Sequence, residues 1–400
     1  MKQLNNIKLC TMMFLQFMLV AVFWVQLSSY LDNMKITGIM MSLIMSSMAV
    51  GSVFSPVIGA VADRIANGER VLAGLNATVA AALLMAYFST SPAGIFASLT
   101  LAMCAYMPSW GLTTTIAMRH SSAESFPFIR VFGSLGWVCS AVFALSAKYF
   151  FGTNIDGTAT PLACAAAVAL LAALLNLTLP ATPPSGKNEK FSPLDTLGFG
   201  ALKILRDKKM AVLVVCEIIY TLAFSIYWMY GSFLSSLGVE NITPVLNLGQ
   251  ISEMLFMLAL PFSVKYLGIK KTIILGLAAM CARYVASMFG YVSSAFYISS
   301  ICLHGLVFGF FVIAAQIYIG KKAPADIQAQ AQGFFYFVFG VAQIAGTFFS
   351  VWLIDANTTL SGAAASTNWH GVFLVEALIS AAVLALFAAA FKSEKLASSK

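Results

Sequence analysis

The sequence predicts an all-α membrane protein whose twelve spanning helices form two six-helix halves, and three observations carry that expectation. The first is composition: of 400 residues 60% are hydrophobic and only 10% charged, with a mean hydropathy of +0.88. So little polar surface does not suit a domain that faces water. The second is spacing: apolar stretches of about 20 residues, the length that crosses a bilayer, recur along nearly the whole chain. The third is an uneven placement of Lys and Arg, which gather in alternate short loops.

Turn residues and charges punctuate the chain into helices at 9–31, 37–61, 71–90, 94–118, 124–150 and 160–180, then 210–237, 244–267, 271–291, 294–319, 327–354 and 368–391. The first apolar run, residues 9–30, is too long for the core of a signal peptide and has no small-residue cleavage site, so it reads as the first span. Between the sets lies "PATPPSGKNEKFSPLDTLGFGALKILRDKKM", rich in Pro, Gly and Lys, with a short amphipathic piece around 194–207. The domain expectation is therefore residues 1–180 as one six-helix bundle, 181–209 as a cytoplasmic linker and 210–400 as the second bundle.

The seven cysteines fall inside spans with no CxxC or Cys/His spacing, so they read as small apolar packers rather than disulfide or zinc ligands. A net charge of +8 could suit nucleic acid, but the basic residues sit in short loops and orient the chain instead. With the N-terminus inside, nineteen Lys and Arg fall in cytoplasmic segments and only Lys35 and Lys148 fall outside. Arg130 and Arg283 are left within spans. Both termini are then cytoplasmic, as expected for two pseudo-symmetric halves that rock about a midplane site.

The loop after the second span, "GAVADRIANGERV" (59–71), resembles the G-x-x-x-D-R-x-G-R-[KR] loop of the major facilitator superfamily, with two residues inserted before Gly68. The resemblance rests on Gly59, Asp63, Arg64 and Arg70. Asp63 is expected to accept hydrogen bonds from a neighbouring helix N-terminus, and Arg64 and Arg70 to anchor the cytoplasmic face. "KYLGIKK" (265–271) is a degenerate echo in the second half.

Ionisable groups in spans cost a few kcal/mol to insert, so each is a functional hypothesis. They are Arg130, Glu217, Glu253, Arg283, His304 and Glu376. Glu253 lies on the order of 13 Å into helix eight, near the midplane. Gln250, one turn earlier, shares its face. Arg130 in "FPFIRVFGSLGW" can reach either a cavity or the cytoplasmic interface, and Gly133 and Ser134 allow close approach on the same helix. Glu217 reads equally as a structural pair or a substrate contact, whereas Arg283 and Glu376 read as bundle supports. His304 is open between a titrating group and a hydrogen-bonded packer. Aromatics beside polar residues suit a ligand with a flat face and hydroxyls: Ser225, Tyr227, Trp228 and Tyr230 in helix seven, Phe308 near His304, and Gln16, Phe17 and Gln26 in helix one.

Further stretches in both halves, "AYMPSWGLTTTIAMRH", "FPFIRVFGSLGW", "GQISEMLFMLALPF" and "APADIQAQAQGFF" among them, are similar to the bacterial nucleoside:proton symporter family of the major facilitator superfamily. The resemblance covers essentially the whole chain. It implies substrate roles for Arg130, Gln250 and Glu253, with Ser134 where the family pattern has Thr, and a cavity role for Phe308. Two departures accompany it. Gly309 stands where family members can carry Asp, and Ser225 and Trp228 stand where amides occur. The implied protein is an inner-membrane secondary transporter that imports nucleosides with protons by alternating access. No GxxxxGK[ST] loop is present, so a gradient must drive it. Burial disfavours a carboxylate's charged form and a nearby Arg favours it, which makes Glu253 the proton-coupling candidate. No enzymatic activity, cofactor, metal or nucleic-acid partner is expected, and the chain is expected to act as a monomer with nucleoside, protons and lipid as its partners. The same residues leave open a proton-coupled sugar or aromatic-acid transporter of this fold, and a non-transporting membrane sensor.

Overall fold

A computed structural model describes residues 2–121, 126–184, 205–322, 328–361 and 364–392. The chain packs as two compact units, Met1–Pro193 with Trp228–Asn247 and Leu194–Tyr227 with Leu248–Lys400. Most of the expected 181–209 linker lies outside the described residues.

In the first unit α1 (Lys2–Trp24) and α2 (Leu27–Asn33) are followed by α3 (Gly38–Met45), α4 (Ser47–Arg64), α5 (Gly68–Phe88) and α6 (Pro92–His120). Then come α7 (Phe126–Cys139), α8 (Ala141–Phe151) and α9 (Thr160–Asn176). α1 packs on α7 and α9, α5 on α6 and α9, and α4 on α6. Leu9, Met13, Leu72, Leu112 and Ile116 fill one core between them. Local chemistry sets the helix starts: Pro92 opens α6, where its missing N–H costs nothing, and Ser91 accepts from Gly94 N at 3.1 Å.

The second unit holds α10 (Lys208–Phe224), capped by Asp207, which accepts from Lys209 N at 2.7 Å. A 3₁₀ turn (Ser225–Met229) leads to α11 (Tyr230–Ser236), which returns to the first unit with the start of α12 (Ile242–Met288). After α12 come α13 (Ser294–Cys302), α14 (His304–Val307), a π-helical turn (Phe308–Ile313), α15 (Ala314–Lys322) and α16 (Gln328–Ala356). A two-stranded antiparallel hairpin of β1 (Thr358–Ser361) and β2 (Ala364–Thr367) then precedes α17 (Trp369–Ala390). The hairpin is a small departure from an all-helical expectation.

Among the described residues ten helices are long and apolar enough to cross a membrane. Expected spans eight and nine lie within α12, 47 residues long and divided at Gly268, whose φ of 80° only glycine adopts freely. The sixth span is shorter than expected: α9 has 17 residues, about 26 Å of helix. Several expected single helices are interrupted, at 25–26 between α1 and α2, at Ser140 between α7 and α8, at 225–229 and at 303–313. Non-helical backbone at membrane depth is tolerated only inside protein or beside a polar cavity; the break at 225–229 carries Tyr227 against Arg283 and His304, and the one at 303–313 contains His304 itself.

Candidate functional site

Two polar clusters stand out, one in each unit. In the first, Arg130 on α7 lies with its guanidinium carbon 4.3 Å from the centre of the Phe17 ring, and Phe17 stacks on Trp110 at 5.2 Å. Gly133 makes room for this contact: a Cβ there would lie 2.7 Å from Arg130 Nη1 and 2.9 Å from Phe17 Cδ2. Ser134, one turn from Arg130 and on its face, is half-buried and has no hydrogen-bond partner among the described residues. The other polar groups of α1 are committed elsewhere. Gln16 donates to Ser109 Oγ at 2.5 Å and accepts from Asn76 Nδ2 at 3.0 Å. Gln26 accepts from Gly157 N at 2.5 Å, at the break between α1 and α2. Both glutamines are buried structural ties in this structure, whereas Phe17 forms the shelf under Arg130.

In the second unit the site is built around a close helix crossing. Gly305 N donates to Ser252 Oγ at 2.9 Å, and a Cβ on Gly305 would fall 2.3 Å from Glu253 N. The missing side chain therefore lets α14 run against α12 and brings His304 to Glu253. His304 Nε2 lies 3.3 Å from Glu253 Oε2, with only 10% and 12% of the two side chains exposed. The other ring nitrogen, Nδ1, accepts from Arg283 Nη2 at 3.1 Å. Tyr227 underlies both: its ring stacks on His304 at 4.5 Å and 17°, and the Arg283 guanidinium carbon sits 3.8 Å from its centre. Gly249 leaves space for that ring, since a Cβ there would lie 2.7 Å from the Tyr227 hydroxyl.

Gln250, one turn before Glu253, is half-buried, and its amide has no hydrogen-bond partner among the described residues. Phe308 opens the π-helical turn and lies parallel to His304 at 6.1 Å. π-Bulges of this kind gather at functional sites. Ser225 is fully buried, donating to Thr221 O at 2.7 Å and accepting from Gln343 Nε2 at 2.9 Å, so it ties α10 to α16. Trp228 belongs to the first unit and meets Trp24 edge-on at 6.3 Å. The second unit therefore gathers Gln250, Glu253, His304 and Phe308; the first gathers Arg130 and Ser134.

Arg283, expected as a bundle support, is fully buried in direct contact with His304. Its charge inside a span was the available signal; its partner, 21 residues away on another helix, was not. Glu217 accepts from Thr221 Oγ1 at 3.4 Å, and the Glu376 carboxylate is buried with no hydrogen-bond partner among the described residues. In the loop motif α4 ends at Arg64 and Arg70 is exposed, while the side chains of Gly59, Asp63 and Arg64 lie outside the described residues. The buried carboxylate there is Glu69, which accepts from Thr182 N at 2.7 Å and Asn67 Nδ2 at 3.0 Å.

Residues 3–396 match the family described as "Nucleoside H+ symporter". YegT of Escherichia coli (strain K12), a protein named for nucleoside transport, is 34% identical over 338 residues, 82% of this chain and 79% of YegT. The nucleoside permease NupG of the same organism is 27% identical over 410 residues, covering 97% of this chain and 96% of NupG. The crystal structure of NupG superposes with a TM-score of 0.86 over 98% of this chain and 100% of that one. The xylose transporter XylE, at 12% identity and a TM-score of 0.70 over 98% of this chain and 97% of that one, shares the fold alone.

Proposed function

The chain belongs to the nucleoside H+ symporter family, a proton-coupled nucleoside importer, and we propose that Arg130, Ser134, Gln250, Glu253, His304 and Phe308 hold its substrate. Ser225 and Trp228, which replace family amides, bear on base preference. Glu253 is the proton-coupling group. The protein works in the inner membrane with both termini cytoplasmic, and it crosses the bilayer twelve times as two six-helix halves, 1–180 and 210–400, joined by the 181–209 segment. Alternating access moves the site between the two faces, and the active protein is a monomer.

One observation carries the site assignment: His304 faces one carboxylate oxygen of Glu253, leaving the other without a partner among the described residues, while Gln250 presents its amide from the same helix face. A ribose with adjacent hydroxyls satisfies that pair, its hydroxyls donating to the carboxylate and accepting from the amide. Arg130 above Phe17 offers the flat cation and aromatic face on which a nucleobase stacks. Proton and nucleoside binding at Glu253 are then linked, each raising the affinity for the other.

The test is uptake of radiolabelled uridine and adenosine into proteoliposomes with an imposed pH gradient. The wild type accumulates substrate, excess unlabelled nucleoside competes and xylose does not. Glu253→Gln retains at most exchange and loses accumulation. Accumulation by Glu253→Gln would remove the coupling assignment, and competition by xylose but not nucleoside would remove the substrate assignment.

A further inference from the structure

His304 contacts two groups of opposite character through its two nitrogens, and that arrangement restricts where a proton can reside. Arg283 is a donor only, so the Nδ1 atom 3.1 Å from its Nη2 must carry a lone pair. A neutral imidazole then bears its single proton on Nε2, which faces Glu253 Oε2 at 3.3 Å. A second ring proton would have to sit on Nδ1, where it would meet the N–H of a cation head-on. We propose that Arg283 holds His304 in the neutral Nε2–H form throughout the cycle, so that His304 orients Glu253 while the transported proton is carried by the Glu253 carboxylate. This inference rests on the reading of Glu253 as the coupling group.

The proton step is simple in composition. A proton adds to an oxygen of the Glu253 carboxylate to give the carboxylic acid and leaves by the reverse step, with no change at His304 or Arg283. In the charged state Nε2–H donates to one oxygen and the other takes the substrate hydroxyl. The proton-bound state keeps the Nε2–H contact. Tyr227 supports the geometry by stacking on the imidazole while the guanidinium lies over the same ring, which keeps both groups in one place. Gly305 fixes the distance from the Glu253 side.

The charged and titratable groups facing the pair come from three elements. α12 supplies Glu253 and Arg283, and the segment 220–227 supplies the Tyr220 and Tyr227 phenols, with Tyr220 in the field of Glu217, Arg283 and Glu253. α14 supplies His304 itself. The Glu376 carboxylate, on α17, has no hydrogen-bond partner among the described residues. With Glu253 ionised, the central cluster of Arg283, His304 and Glu253 is neutral; it takes on one positive charge when the proton binds. Arg283 acts as a positioning residue.

Two measurements test the inference. The first is nitrogen-15 NMR of the purified protein with labelled histidine, which has only three residues to resolve; the His304 signals are assigned by their loss in His304→Gln. The expected spectrum shows one protonated nitrogen, Nε2, unchanged from pH 5 to 8. An Nδ1–H tautomer or an imidazolium in that range would overturn the proposal. This readout needs no substrate, so it stands apart from the nucleoside assignment. The second is the pH profile of gradient-driven uptake and of counterflow. His304→Gln, which keeps an N–H donor but cannot titrate, lowers uptake yet leaves what remains coupled to the pH gradient with the wild-type pH profile, whereas loss of gradient-driven accumulation with counterflow preserved would make His304 the proton carrier. Arg283→Met, which removes the donor at Nδ1, changes the pH profile of uptake, and Arg283→Lys, which keeps charge and donor, restores the wild-type profile. An unshifted profile in Arg283→Met would leave Arg283 merely structural.

Discussion

Arg130 does its work through shape as much as charge. Its guanidinium lies over the Phe17 ring, which stacks on Trp110, in space cleared by Gly133, and a lysine ammonium keeps the charge without the plane or the fork. Arg130→Lys is therefore expected to raise the apparent KM for uridine by about tenfold, on the order of 1.4 kcal/mol, with protein yield unchanged. Radiolabelled uptake over a substrate series reads this directly, and an unchanged KM would place Arg130 outside the site. Legibility differed sharply between the two buried arginines. Arg130 sits in a recognisable local stretch beside Gly133 and Ser134, so its neighbours were visible in the sequence. Arg283 sits among apolar residues with nothing adjacent to explain it. Its partners, His304 and Tyr227, come from other helices.

The elements matter here for where they stop being regular. The 3₁₀ turn at 225–229 presents Tyr227, and the π-helical turn that begins at Phe308 follows directly on the short α14. These breaks were not legible from hydropathy, because "SIYWM" and "FGFFVI" are as apolar as the helices around them. Gly305 is the element-scale counterpart of the tautomer argument, since its missing Cβ sets the separation of α14 from α12. Gly305→Val is predicted to push His304 away from Glu253 and shift the pH profile of uptake, while a valine at Gly340, where a Cβ meets nothing within 4 Å, leaves the profile unchanged. Equal profiles for the two variants would show that the crossing does not position the pair.

Stability belongs to the whole chain, and a loop carboxylate contributes to it with a defined sign. Asp156, between α8 and α9, accepts from Thr243 N and Oγ1, both at 2.8 Å, and so caps the start of α12. Burial raises its carboxyl above the ordinary 3.8, outweighing the donors that pull it down. A raised folded-state value means that this group's titration favours folding below about 3.8 and that the benefit is lost as pH climbs through the folded value. Melting of the detergent-solubilised protein from pH 4 to 7 should show this decline in the wild type. Asp156→Asn should lack it and should also melt lower, by about 1–3 kcal/mol of stability, because one Thr243 donor loses its acceptor. A parallel pH dependence in both proteins would remove Asp156 from the account. At this scale the division between sequence and structure is plain. The sequence by itself determined a helical membrane protein and a family of proton-coupled nucleoside transporters, because long apolar runs and contiguous motifs are local properties that survive without coordinates. It also marked Glu253, since a carboxylate in an apolar helix is costly wherever the helix lies. Only the tertiary structure decided that Glu253 faces His304 and that Arg283 holds the far side of that ring. Distance between residues on different helices is set by packing, here by a glycine crossing, and no pattern along a single helix encodes it.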